Sequence, residues 1–263
     1  MNRKRHPKPK KGFPKPYLLF LLFIFVLCSC GNSQESESSA EDPELNFPKT
    51  TWNMSSPEVM DAYSVTEDDV NGYYSAGRSI SFAIPDLEIF GEQSASAHFS
   101  FINLSLGASQ NMQDFDEASA DGKEVLASVT VAYPAGTDME HVVKEMNQLY
   151  GKQSLSEISV FSLYDPLGTN TLYEQQEKET DTQKVWGNDT VASRISPDQL
   201  SFFRENWPIY QSNMTEDDWE TFSEKGRMVT ILCSMDQETP YIQFEAYNLA
   251  VYHELEKRNS SAG

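Results

Sequence analysis

Three thiols and four imidazoles are the side chains in this 263-residue chain best suited to covalent or metal chemistry: Cys28, Cys30, Cys233, His6, His98, His141 and His253. Their spacing argues against most such chemistry. No two histidines stand at the i,i+4 separation of a helical zinc pair, HExxH is absent, and Cys233 is the only thiol beyond residue 30. The chain beyond residue 30 also lacks GxSxG, SxxK, a P-loop and GxGxxG. Cys233 shares one face of an alternating run with Val229 and Ile231, the setting of an inert structural thiol. Asp114, Asp116, Glu117, Asp121 and Gly122 suggest a calcium loop. The pattern fails because Ser119 stands where the turn needs Gly and Val125 where the bidentate Glu belongs. No catalytic residue, cofactor site or metal site is therefore assigned.

Cys28 and Cys30 sit differently. Arg3, Lys4, Arg5, Lys8, Lys10, Lys11 and Lys15 precede an apolar run from Tyr17 to Leu27, and no acid occurs before Glu35. A basic start, a short apolar stretch and a small residue before a cut site describe a signal peptide. The run is shorter than the roughly 20 residues of a membrane-spanning helix. Leu27-Cys28-Ser29-Cys30 resembles the lipobox of bacterial lipoproteins, with Leu at minus three and a small residue at minus one. The resemblance implies that residues 1–29 are a signal peptide and that Cys30 is lipidated, carrying acyl chains such as palmitate. It places the protein on the extracytoplasmic face of a cell membrane. Cys28 at minus two departs from the usual Ala, Ser, Thr or Val.

Charge narrows the partners. The chain holds 20 Lys and Arg against 40 Asp and Glu, and the seven basic residues before residue 30 leave −27 for the remainder. Such a surface repels the phosphates of nucleic acid and anionic lipid head groups. A protein or peptide partner is compatible with it.

Residues 30–46 are Ser- and Glu-rich with little to bury, as a flexible tether would be. Beyond them, Ser55-Ser56-Pro57-Glu58 and Ser196-Pro197-Asp198-Gln199 read as helix starts. Strands are predicted at 78–84, 97–104, 125–133, 157–164, 227–233 and 241–251, with a hairpin from 171–176 and 183–187. Thr137 to Glu140 reads as a capping box opening a helix whose stripe is Met139, Val142, Val143, Met146, Leu149 and Tyr150.

Two segments echo one another at an offset of 149 residues: Thr66-Glu67-Asp68-Asp69, then Gly77-Arg78, and Thr215-Glu216-Asp217-Asp218, then Gly226-Arg227. A Thr followed by acids is a helix N-cap with its dipole-matching charges, a better use for these residues than a metal site.

The expected fold is α+β, antiparallel sheets with a few packed helices, with the echo pointing to two related units in tandem at 47–151 and 152–256 and a frayed tail at 257–263. In its order of elements it resembles small envelope-lipoprotein domains of the β-lactamase-inhibitor-protein type. The expected function is a non-enzymatic binding or interaction module tethered through the lipid on Cys30. The alternatives are a cell-wall or glycan hydrolase using paired carboxylates, with Trp52, Trp186, Trp207 and Trp219 available to line a groove, and a solute-capturing lipoprotein of a transporter.

Overall fold

The computed structural model describes residues 44–76, 79–102, 124–152, 157–160, 175–178, 182–206 and 215–261. The leader, Cys30, the acidic segment 107–123 and Trp207 lie outside the described residues. Residues 41–263 group as one compact unit.

The fold is α+β. Helix α1 (Ser56–Tyr63) starts at Ser55, whose backbone N–H and hydroxyl both donate to Glu58 Oε2, at 2.8 and 2.9 Å. A single 3-10 turn, Glu67–Asp69, follows in the same manner: Thr66 donates its N–H and hydroxyl to Asp69 Oδ2 at 2.9 and 2.7 Å. Then come β1 (Asn71–Ala76), β2 (Ser79–Pro85), the short pair β3 (Glu88–Ile89) and β4 (Glu92–Gln93), β5 (Ser96–Ile102) and β6 (Val125–Ala132). Helix α2 (Met139–Tyr150) leads to the small pair β7 (Glu157–Val160) and β8 (Gln175–Lys178), and on to β9 (Gln183–Gly187). Helices α3 (Val191–Arg194), α4 (Pro197–Asn206) and α5 (Glu216–Lys225) precede β10 (Thr230–Ser234), β11 (Tyr241–Glu245) and α6 (Tyr247–Ser261).

Seven strands make one sheet in the order β1-β2-β5-β6-β11-β10-β9, antiparallel at every step. Segments 47–151 and 152–256 both feed it, and they meet where β6 pairs with β11, Val129 opposite Phe244 and Val131 opposite Ile242. The echoed segments supply the hairpins β2–β5 and β10–β11, but with opposite hands. Phe82 and Ile231 stand at equivalent places and both join the main core. Seen from that side, with β2 and β10 running the same way, β5 lies to one side of its partner and β11 to the other, because both border β6. The two segments are therefore not superposable copies within this sheet.

One face of the sheet carries the core. Ile80, Phe82, Ile84, Phe99, Phe101, Val129, Val131, Ile231, Cys233, Ile242 and Phe244 are all buried there. Val59 and Met60 of α1, Met139, Val142 and Met146 of α2, Phe222 of α5 and Leu249, Val251 and Leu255 of α6 belong to the same cluster. Leu45, Phe47 and Trp52 enter it from the segment ahead of α1. Phe47 meets Phe99 edge-on at 5.6 Å and Phe244 edge-on at 5.2 Å. Tyr63 donates to the Pro48 carbonyl at 2.5 Å and Tyr150 to the Asn46 carbonyl at 2.8 Å, so the segment is bonded at both flanks of Phe47.

Four local expectations change. The hairpin expected from 171–176 and 183–187 does not form among the described residues, because β8 pairs with β7 and β9 with β10. The N-cap of α2 is Asp138, which accepts from the His141 N–H, while Thr137 donates to the Pro134 carbonyl. Leu149 lies on the predicted stripe yet is 60% exposed, because at the last turn the core side is taken by Tyr150. The run 241–251 is strand only as far as Glu245; α6 then buries Leu249, Ala250, Val251 and Leu255 and continues to Ser261 through the expected tail.

Phe47→Ala should lower the unfolding free energy by about 3–5 kcal/mol in urea titrations, whereas Leu149→Ala should change it by less than about 0.5 kcal/mol. The backbone N–H and hydroxyl of Ser55 hold the Glu58 carboxyl below its ordinary value. A depressed carboxyl stabilises the fold above its unfolded-state pKa, and that contribution is lost as pH falls through the folded-state value. Acid thermal melts of a Ser55→Ala chain should accordingly show a shallower loss of stability than those of the parent.

Candidate binding surface

The groups with the most reactive chemistry are used up by the fold. Cys233 is fully buried in β10, and burial pushes its thiol up to about 12, with Lys184 opposing part of the shift. A thiol in that state is neither nucleophile nor ligand at neutral pH. Trp52, Trp186 and Trp219 are core residues, and Trp186 donates its indole N–H to the Gly151 carbonyl at 3.3 Å. Glu124, only 3% exposed, accepts from the Ser56 N–H and hydroxyl at 3.3 and 2.9 Å, placing its charge at the positive end of α1. Asp69 of the first TEDD run caps its own 3-10 turn, and Thr215 accepts from the Trp219 N–H at the start of α5.

The histidines are scattered. His141 lies on α2 between Glu92 (3.9 Å) and Glu145 (3.8 Å) and rests over Gly91 of the β3–β4 turn. Gly91 has a positive φ of 78°, and a Cβ there would come within 2.9 Å of the ring. The contact fixes the small hairpin to the helix. His253 faces Glu44 at 3.8 Å, and burial lowers its pKa more than Glu44 raises it. Among the described residues, no group of three His, Cys, Asp or Glu could hold a metal ion.

Asn53, Asn103, Asn188, Asn213 and Asn259 each begin an Asn-x-Ser/Thr triplet, the acceptor pattern for glycosylation. Asn188 is only 1% exposed; its side-chain oxygen accepts from the Val229 N–H at 2.8 Å and its carbonyl accepts from Arg227 at 3.1 Å. Asn248 donates to the Arg227 carbonyl at 2.7 Å, so Asn188, Arg227 and Asn248 lock the exits of β9, α5 and β11 together. Asn53 is exposed, whereas Asn103 and Asn213 lie outside the described residues.

The other face of the sheet carries most of the polar side chains of the strands. The register places Tyr74, Ser81, Ser100, Ser128, Glu245, Thr230 and Gly187 side by side in one row across all seven strands. A second row runs Ala83, His98, Thr130, Gln243, Leu232 and Val185. In the first row Tyr74 is exposed and Ser81, Ser100 and Glu245 are half-buried, whereas Ser128, Thr230 and Gly187 are buried. Gln243 donates to Glu245 Oε1 at 2.7 Å, and Ser100 Oγ lies 3.4 Å from His98 Nδ1. Partial burial holds the His98 imidazole below its ordinary pKa, which favours the neutral ring at neutral pH. Val185, Leu232 and Tyr241 form a separate small apolar cluster at the β9 end. The accessible members of this face can donate and accept hydrogen bonds.

The alternating runs at 78–84 and 97–104 predict two faces but not the row. Its signal was present in Ser79, Ser81 and Ser96, Ser100, the polar members of the same alternations.

Thiol labelling of a chain with Cys28 and Cys30 both replaced by Ser should leave Cys233 unmodified in the native state at mildly alkaline pH. Denaturant should render it fully reactive.

Comparison with known proteins adds no relative: no protein-family model, no curated protein and no solved structure matches the chain.

Proposed function

We propose that the protein is a non-enzymatic binding module of the cell envelope, held to the extracytoplasmic membrane face by lipid on Cys30 and recognising a protein or peptide partner. The observation that carries the binding reading is the contrast between the two sheet faces. The thiol, the buried tryptophans and Glu124 are committed to packing and capping, while Tyr74, Ser81, His98, Ser100 and Gln243 leave polar groups accessible on the opposite face. The membrane address is supported by Leu27-Cys28-Ser29-Cys30 following an apolar run too short to span a bilayer. Among the described residues no helix is long and apolar enough to cross a membrane.

Cell fractionation with fatty-acid labelling tests the tether. The parent chain should incorporate label and sediment with membranes, and Cys30→Ser should lose both properties. A Cys30→Ser chain that still sediments with membranes and takes up label would refute the lipid assignment.

A further inference from the structure

Asn71-Gly72 is the one Asn-Gly step in the chain, and it opens β1. Both residues are exposed. Gly72 has a φ of 60°, and nothing stands within 4 Å of the place a Cβ would take. A residue without a Cβ lets another group come close to its backbone. Pairing with β2 is irregular at the same point. Asn71 stands opposite Ala83 and Tyr74 opposite Ser81, so Gly72 and Tyr73 span a stretch that Phe82 spans alone on β2. A bulge of this kind disrupts the ladder locally.

An exposed asparagine followed by an uncrowded glycine amide can react with its own backbone. The Gly72 nitrogen gives up its proton to solvent and attacks Asn71 Cγ. The N–Cγ bond forms, the Cγ–Nδ2 bond breaks, and Nδ2 departs as ammonia. Water then opens the five-membered imide by breaking one of its two carbonyl C–N bonds. Opening at Cγ gives aspartate; opening at the main-chain carbonyl gives isoaspartate, whose backbone is longer by one methylene. The sum is asparagine plus water going to the acid plus ammonia, with nothing oxidised or reduced.

We infer that Asn71-Gly72 is a self-modification site, at which the folded protein converts Asn71 to isoaspartate and aspartate without an enzyme and so releases the start of β1 from β2. Other asparagines lack this combination. Asn53 is exposed but precedes Met54, whose side chain crowds the attacking nitrogen, and Asn188 and Asn248 are buried in hydrogen bonds. Two consequences follow at the edge of the sheet. The new carboxylate adds a negative charge close to the exposed Glu67, Asp68 and Asp69. The extra methylene of isoaspartate displaces the backbone that pairs with Ala83, while the regular register begins only at Tyr74.

The test holds the full chain in detergent micelles at mildly alkaline pH in heavy-oxygen water and maps its peptides by mass spectrometry. The peptide carrying Asn71 should lose ammonia and gain one heavy oxygen, with isoaspartate in excess over aspartate. Amide-exchange protection in the β1–β2 hairpin should fall severalfold in converted chains, while β10–β11 keeps its own. Asn71→Gln should block both changes. Freshly prepared Asn71→Asp, which adds the charge without the methylene, should retain the hairpin's protection. Label that enters Asn71 in the denatured chain but not in the native one would overturn the inference, because the fold would then hold the amide away from Gly72. Label at other asparagines with Asn71 untouched would overturn it as well. Unchanged β1–β2 protection in fully converted chains would also defeat it, since the strand would not have been released.

Discussion

The fold depends on Phe47. The sheet draws on both halves of the chain, and its middle is the junction of β5, β6 and β11. Phe47 lies across that junction, edge-on to Phe99 on one side and to Phe244 on the other. Edge-to-face pairs of this kind add about 0.5–1.5 kcal/mol each beyond the area they bury. Phe244 in turn meets Trp52, Phe90 and Tyr150, so one residue from the entry segment connects strands of both halves with α2 and the β3–β4 hairpin. Tyr63 and Tyr150 bond the carbonyls on either side of Phe47, which keeps the backbone of this irregular segment satisfied where water is excluded.

The asymmetry of the sheet follows from that packing. Most of the large apolar strand side chains lie on the face that receives Phe47 and the helices. The other face carries most of the polar ones, with Val185, Leu232 and Tyr241 as an apolar cluster at the β9 end. In β2 and β5 the alternation is nearly regular, and the bulge in β6 shifts the pairing so that Ser100 faces Ser128 while Phe101 faces Leu126. Without that shift, one end of β6 would present its side chains to the wrong faces.

Much of this was legible in the sequence, and the exceptions have physical causes. The alternation in 78–84, 97–104 and 125–133 was enough to place β2, β5 and β6, and Ser55 and Ser196 announced their helices through short-range capping chemistry. β1 was missed because Asn71 and Gly72 are poor strand formers and Tyr73-Tyr74 breaks the alternation; it is held by pairing with β2, a contact that propensity does not report. α6 was read as strand because no Gly or Pro marks the change at Ala246, and an apolar run there fits both periods. The echo at 66 and 215 precedes a helical turn each time but carried no information on which way each hairpin would turn. The polar face was only half visible: faces follow from alternation, whereas the alignment of Tyr74, Ser81, Ser100, Ser128, Glu245 and Thr230 needs the register of five strand pairs.

The entry of the chain through Leu45 and Phe47 has a mechanical meaning. Fourteen steps separate Cys30 from Glu44, a contour of at most about 50 Å. A load applied at Cys30, the proposed lipid site, and resisted elsewhere on the domain would pass along this segment first to Leu45 and then to the ring of Phe47, in the centre of the sheet. Under the proposed anchoring, the domain's resistance to being pulled is set by how firmly these two buried side chains are seated.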